Sequence, residues 1–165
     1  MTGAPSPTVT VGLGQLAVDR GDAVLATLGL GSCVAVLLHD ATAGIGGIVH
    51  VVLPTSSLSR DRSNPARFAE TAIPALVAEM ERAGAQRDRL GARLVGGASM
   101  FASLVPQGAV HMGHRNVLAC RAALRTAEIQ VTAEAVGGES GRSVWMRADT
   151  GEATVRVVGR EPQSL

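Results

Sequence analysis

Two short apolar runs separated by a turn-forming segment constrain the fold of this chain most strongly. They are CVAVLLH (33–39) and GGIVHVV (46–52), and both carry β-branched residues that favour strands. Between them lies Asp40-Ala-Thr-Ala-Gly44, which is typical of a hairpin loop longer than two residues. The sequence therefore predicts that these two runs pair as antiparallel strands.

Further strands and two helices are predicted around this hairpin. Alternating or apolar stretches predict strands at 8–19, 23–28, 92–96, 129–135, 142–148 and 153–159. Asn64 followed by Pro65 is a helix-start signal, and an apolar face continues from Phe68 to Met80 before Gly84. Pro74 inside this helix is expected to kink it, and a second helix is predicted over about 115–127.

The order of these elements indicates an α+β fold. Strands come first and last, and the two helices are separated by a single strand, so the regular alternation of a doubly wound sheet is missing. We expect one domain over 1–165, with residues 1–7 as a flexible N-terminus. The expected architecture is a layered sandwich of mixed or antiparallel sheets with helices packed on the outside.

Composition excludes several classes of function. The net charge of +1 gives no broad attraction to nucleic acid, and three aromatic residues in 165 provide no stacking platform for single strands. The uncharged stretch 23–38 is interrupted by glycines and is shorter than a roughly 20-residue membrane span, so membrane insertion is not expected. Residues 1–10 resemble no secretory leader, which predicts a cytoplasmic protein whose two cysteines, Cys33 and Cys120, stay reduced.

The hairpin brings a cysteine and a histidine together. Its loop length predicts that Cys33 lies opposite His50 or one position away, and direct partners on one face are within reach of a thiol–imidazole contact. An imidazolium beside Cys33 would stabilise the nucleophilic thiolate. Gly31 and Ser32, in the glycine-rich corner before Cys33, could leave backbone N–H groups free for an oxyanion. Thr27 is the nearest polar residue that could orient the imidazole.

Other interpretations of these residues stay open on the pattern alone. Cys33 could be a small buried hydrophobe and His50 a core histidine. His111, His114 and Cys120 lack the further ligands of a zinc site, and GLGSC lacks the third glycine of a dinucleotide motif, so neither a metal nor an organic cofactor is predicted. Cys120 is expected in the core.

Six segments together resemble the CheD family, the chemoreceptor glutamine deamidases. They run over most of the chain: TLGLGSCVAVLLHD (27–40), GGIVHVVLP (46–54), RFAETAIPALVAEM (67–80), RLVGGASMF (93–101), GHRNVLA (113–119) and VGGESGR (136–142). One departure is Ala135, where the family often has an acidic residue.

The resemblance implies a Cys–His–Thr active site at Cys33, His50 and Thr27. It also implies a function, the hydrolysis of glutamine side chains on methyl-accepting chemotaxis receptors to glutamate, and a CheC-type phosphatase as a partner. Phe101, Arg115 and Asn116 are candidate contacts to the substrate or a partner, and a monomer is expected. The alternatives are a binding regulator in which catalysis is secondary, and a related thiol hydrolase with another protein substrate.

Overall fold

The computed structural model describes residues 4–165, which form a layered α+β fold. The strands are β1 (Thr8–Thr10), β2 (Leu16–Arg20), β3 (Val24–Leu30), β4 (Val34–Asp40), β5 (Ile45–Val51), β6 (Leu90–Gly96), β7 (Gln130–Val136), β8 (Arg142–Arg147), β9 (Ala153–Val157) and β10 (Gln163–Ser164). The helices are α1 (Ala69–Arg82) and α2 (Met112–Thr126). Short turns of 3-10 helix connect several of these elements.

The strands form two mixed sheets of five strands each. The first sheet has the order β1-β3-β8-β9-β10, and the second has the order β2-β5-β4-β6-β7. Each sheet holds one parallel pair, β1 with β3 and β6 with β7, while the remaining pairs are antiparallel. The predicted hairpin is the antiparallel pair β4–β5 at the centre of the second sheet.

The second sheet is buried on both faces, which explains its long apolar runs. One face packs on the first sheet through buried aliphatic side chains, among them Leu25, Leu37, Ile48, Val144 and Met146. The other face is covered by the apolar stripes of α1 and α2, which include Ile73, Leu76, Met80, Val117, Cys120 and Leu124. The predicted sandwich with helices on the outside is confirmed. Among residues 4–165, no helix is both long and apolar enough to span a bilayer.

Most predicted elements are confirmed, with shifts at their ends. Asn64 accepts a hydrogen bond from the Ala66 amide, but it caps a single 3-10 turn, and α1 begins only at Ala69. Helix α2 begins at Met112, three residues before its predicted start. The expected flexible segment 1–7 lies partly outside the described residues, and the Pro7 carbonyl accepts a hydrogen bond from Val24.

The prediction of one strand over 8–19 is wrong. This stretch forms β1 in the first sheet and β2 in the second, joined by a crossing at residues 11–15. Gly14 lies in this crossing with a φ of 65°, a conformation that glycine adopts without strain. The crossing passes close to the candidate site, because the His50 amide donates to the Gln15 carbonyl and the His50 carbonyl accepts from the Gly14 amide.

Candidate active site

Cys33 and His50 lie near the same end of the β4–β5 hairpin, but in a different register from the predicted one. The pair that contains His50 is Ala35↔His50, and the last pair of the ladder is Val34↔Val51. Cys33 precedes β4 and is therefore two residues from the position opposite His50. The predicted register is wrong, but an offset of two residues preserves the face of a strand. Cys33 packs against the same layer between the sheets as Ala35 and Ile48.

The imidazole of His50 is buried between the two sheets, where it contacts Thr27 of β3. His50 Nδ1 lies 2.9 Å from Thr27 Oγ1 and 3.4 Å from the carbonyl oxygen of Val11. Thr27 donates its own hydroxyl proton to the Val11 carbonyl at 2.7 Å, so its oxygen acts as the acceptor toward His50. These contacts assign the proton of the neutral imidazole to Nδ1. Nε2 is then the basic nitrogen.

His50 Nε2 has no hydrogen-bond partner within residues 4–165, although it is buried. A buried nitrogen with a free acceptor site is unfavourable for stability, and such groups are concentrated where chemistry needs them. Cys33 is partly exposed, and its thiol makes no hydrogen bond to the imidazole within the same residues. The thiol must turn toward Nε2 for proton transfer, and catalytic contacts of this kind are commonly long until a substrate is bound.

Thr27 lies on the same inward face of β3 as Leu25, and a bulge follows it. The β3–β8 register shifts between Thr27 and Leu30, with Leu28 and Gly29 opposite the single residue Ser143. Gly29 has a φ of 66°, and its amide donates to the Ser143 hydroxyl. As a result Thr27 and Leu30 both point into the layer between the sheets, while Leu28 and Gly29 are exposed. The Cys33, His50 and Thr27 predicted as one site thus lie at one end of the sandwich, with Thr27 supplied by the opposite sheet.

Burial favours the neutral form of both titratable groups of the site. Burial raises the pKa of the Cys33 thiol above its usual range. Burial also lowers the pKa of His50, and the hydrogen bond to the Val11 carbonyl offsets only part of this effect. Burial of both groups thus opposes the expected pair of a resting thiolate and an imidazolium. The arrangement suits a thiol that loses its proton to the imidazole as it attacks.

The backbone of Gly31, Ser32 and Cys33 is held in one orientation. The Gly31 and Cys33 carbonyls each accept a hydrogen bond of 2.8 Å, from the amides of Ala98 and Gly97 respectively. The Ser32 carbonyl accepts one from the Asn116 side chain at 2.9 Å. Within residues 4–165 no acceptor is paired with the three N–H groups of this segment. Three successive free N–H groups around a nucleophile can stabilise an oxyanion.

Among the predicted contact residues, Phe101 and Asn116 differ completely in exposure. Phe101 is 69% exposed and lines a cavity of about 320 Å³ together with Ser32 and His111. Arg115 is partly exposed. Asn116 is fully buried, with Nδ2 bonded to two backbone carbonyls, so the prediction that it contacts a substrate or partner directly is wrong. Helix α2 brings it inward on the same stripe as Cys120 and Leu124.

The remaining candidates do not form a second site. Cys120 is buried in the core, as predicted, and burial raises the pKa of its thiol to about 12. Across residues 4–165, no three His, Cys, Asp or Glu side chains are grouped so that they could hold a metal ion.

Sequence reasoning missed the contact of the Val11 carbonyl with His50 and the two hydrogen bonds that Asn116 Nδ2 donates. The carbonyl is a backbone group whose position depends on the crossing between sheets, so no sequence signal could have identified it. Asn116 had a signal, since it falls on the apolar stripe of α2 four residues before Cys120.

Comparison with known proteins places the chain in a family. The family described as "CheD chemotactic sensory transduction" matches residues 52–157, which excludes the segment carrying Thr27, Cys33 and His50. Full-length relatives cover that segment as well. The Symbiobacterium thermophilum "Probable chemoreceptor glutamine deamidase CheD" is 45% identical over 157 residues, covering 94% of this chain and 95% of the relative.

Two further relatives are similar to this chain over nine tenths or more of its length. The Thermotoga maritima "Chemoreceptor glutamine deamidase CheD" is 42% identical, with 90% of this chain and 91% of the relative covered. The Caldanaerobacter subterraneus "Probable chemoreceptor glutamine deamidase CheD" is 38% identical, with 93% and 95% covered. The predicted resemblance is confirmed, and the chain belongs to the CheD family.

Proposed function

We propose that this chain is a protein-glutamine deamidase that converts specific glutamines of methyl-accepting chemotaxis receptors to glutamate. The names of its relatives support this activity and this class of substrate. The observation that carries the chemistry is the hydrogen bond from His50 Nδ1 to Thr27, because it leaves Nε2 as a buried base on the strand face shared with Cys33. A core histidine without a function would be expected to satisfy both nitrogens.

The first half of the reaction forms a thioester. As the Cys33 sulfur attacks the amide carbon, its proton passes to His50 Nε2, so no free thiolate has to exist beforehand. The amide oxygen becomes an oxyanion beside the free N–H groups of residues 31–33. When this intermediate collapses, the C–N bond breaks, and ammonia leaves with the proton that Nε2 held.

The second half regenerates the enzyme. Water attacks the thioester carbon while His50 Nε2 accepts one of its protons, and the Cys33 sulfur leaves and regains that proton as the glutamate carboxyl is released. Thr27 takes no proton in either half. Its oxygen accepts from Nδ1, which keeps Nε2 basic when the imidazole is neutral and stabilises the imidazolium when it is charged. No metal or organic cofactor is needed for these steps.

The central experiment compares two single-thiol variants. Purified Cys33→Ala and Cys120→Ala proteins are incubated with a receptor signalling domain, and ammonia is measured together with the mass of glutamine-containing peptides. We expect activity only in the Cys120→Ala protein, because Cys120 is buried away from the site. Deamidation by Cys33→Ala would refute the proposal.

A second candidate function is binding of a receptor or of a CheC-type phosphatase. It is favoured by a group of exposed apolar side chains in the segment 100–110, namely Met100, Phe101, Leu104 and Val110. This segment borders Ser32 and hence the catalytic loop. If binding is the main role, Cys33→Ala preserves receptor adaptation in cells while Phe101→Ala abolishes it. The opposite result supports catalysis. We propose that the protein acts in the cytoplasm as a monomer. Its elution volume on size-exclusion chromatography would test the monomeric state.

A further inference from the structure

We infer that Asn116 is a positioning residue that sets the distance between Cys33 and His50. Its side chain is fully buried, and Nδ2 donates to the Ser32 carbonyl at 2.9 Å and to the Val52 carbonyl at 3.0 Å. Ser32 immediately precedes Cys33, and Val52 lies two residues after His50. One carboxamide therefore connects the two chain segments that carry the proposed nucleophile and base.

The bridge spans a gap, because the β4–β5 ladder ends before Cys33. The β4–β5 ladder stops at Val34↔Val51, and the Val52 amide turns away to donate to the Arg67 carbonyl. The Cys33 carbonyl is held on the β6 side by the Gly97 amide, but within residues 4–165 no backbone hydrogen bond joins Cys33 to Val52, so the backbone does not tie Cys33 to the segment that carries His50 beyond the Val34↔Val51 pair. Asn116 takes the place of the missing ladder bonds, and does so through both of its N–H groups.

Two glycines make this reach possible. A Cβ on Gly113 would lie 2.5 Å from the Gly97 carbonyl oxygen, and a Cβ on Gly97 would lie 2.3 Å from Val117 Cγ2. Because neither glycine has a Cβ atom, the first turn of α2 can lie against the end of β6. Asn116 is three residues after Gly113 and therefore projects toward the gap between the ends of β4 and β5.

The orientation of the amide supports a role beyond stability. Asn116 Oδ1 is buried with no hydrogen-bond partner within residues 4–165. An unpaired buried acceptor is unfavourable, and an apolar residue at this stripe position would avoid it. Both donors of the side chain are instead directed at the segments that flank Cys33 and His50.

The inference rests on the proposed pairing of Cys33 with His50, and its test uses readouts that stability alone does not change. In a Cys120→Ala background, Cys33 is the single thiol, and its alkylation rate by iodoacetamide is measured from pH 6 to pH 10. The variants are Asn116→Leu, which keeps the branched shape in a somewhat larger side chain and removes both donors, and Asn116→Ser, which leaves space for water if the first does not fold. The control is Leu124→Val, which weakens packing on the same helix stripe two turns away.

We expect the Asn116 variants to lower kcat for receptor deamidation by about tenfold to hundredfold with little change in KM, as misplacement of a catalytic group does. The neutral-pH alkylation rate should fall, and its profile should move to higher pH, because the imidazole no longer assists the thiol. Folded Asn116 variants that match Leu124→Val in kcat and in the alkylation profile would overturn the inference. If the alkylation profile moves but the wild-type chain deamidates no receptor, the positioning role stands and the proposed substrate falls.

Discussion

Replacing Thr27 with valine tests the orientation of the catalytic imidazole directly. Valine has nearly the shape of threonine and suits a buried strand, so the change removes the hydroxyl and little else. Two hydrogen bonds are lost, the 2.7 Å bond to the Val11 carbonyl and the 2.9 Å bond from His50 Nδ1. At roughly 1 kcal/mol for each, the free energy of unfolding should fall by about 2 kcal/mol. The midpoint of thermal unfolding should fall by about 5 °C.

The loss of activity should be larger than this loss of stability implies. Without the Thr27 oxygen, His50 Nδ1 keeps only its 3.4 Å contact to the Val11 carbonyl, so the proton can move to Nε2 and the ring can rotate. General base catalysis contributes about 10²–10⁴-fold, and we expect kcat to fall by about 100-fold with KM nearly unchanged.

Thr27→Ser is the matched control, because it keeps the hydroxyl and removes one buried methyl group at a cost of about 1 kcal/mol. Urea unfolding gives the stability of each variant, and initial rates of ammonia release from a receptor signalling domain give kcat. Serine should retain most of the activity although it also loses stability. Equal kcat values for the valine and serine variants would refute the assignment of Nδ1 to Thr27.

Three further predictions concern reactivity, pH and packing. Iodoacetamide should modify Cys33 and not Cys120 in the native protein, because Cys120 is fully buried. The rate of Cys33 modification should rise into the alkaline range, because burial raises the pKa of its thiol. Peptide mass spectrometry after quenching measures both modifications, and equal labelling of the two cysteines would contradict the prediction. Burial acts to raise the pKa of Asp40, but hydrogen bonds from Arg89 and two backbone amides outweigh it and lower this pKa to about 2. The ionised Asp40 therefore stabilises the folded state above about pH 4, and this contribution is lost as the pH falls toward 2. Asp40→Asn should therefore cost about 2 kcal/mol in urea unfolding at pH 7 and less at pH 3, and a constant difference would argue against this ion pair. Gly97→Ala should lower both the melting temperature and kcat, because Gly97 has a φ of 64° and the new Cβ would clash with α2. A variant with the same melting temperature and kcat as the wild-type protein would show that this contact is not tight.

The strands and helices were largely predictable. The second sheet is buried on both faces, so its central strands appear in the sequence as continuous apolar runs. Those runs identify β4 and β5 without ambiguity, and a short loop makes their antiparallel pairing the natural choice. The register was not predictable to the residue. Asp40 and Ile45 close the loop as a pair, which moves His50 opposite Ala35. The sequence does not reveal which residue is the last to pair.

The parts that failed depend on contacts between distant segments. The alternation of residues 8–19 is compatible with a strand throughout, and only the packing decides that its halves join different sheets. The protonation state of the site also depends on contacts that the sequence does not reveal. Proximity of Cys33 to His50 favours an ion pair, while burial of both groups favours the neutral forms, and burial is a property of the fold.

The division of the site between two sheets gives the sandwich core a direct part in the proposed catalysis. His50 belongs to the second sheet and Cys33 immediately precedes its strand β4, whereas Thr27 belongs to the first sheet. The layer between the sheets is closely packed with aliphatic side chains. A 2.9 Å hydrogen bond across this layer is maintained only if the sheets keep their separation. Thr27 meets His50 from the inward face of β3, and the crossing at residues 11–15 ties the two sheets together beside them. The basicity of Nε2 is therefore a consequence of sheet packing, and the nearby sequence around His50 does not determine it alone.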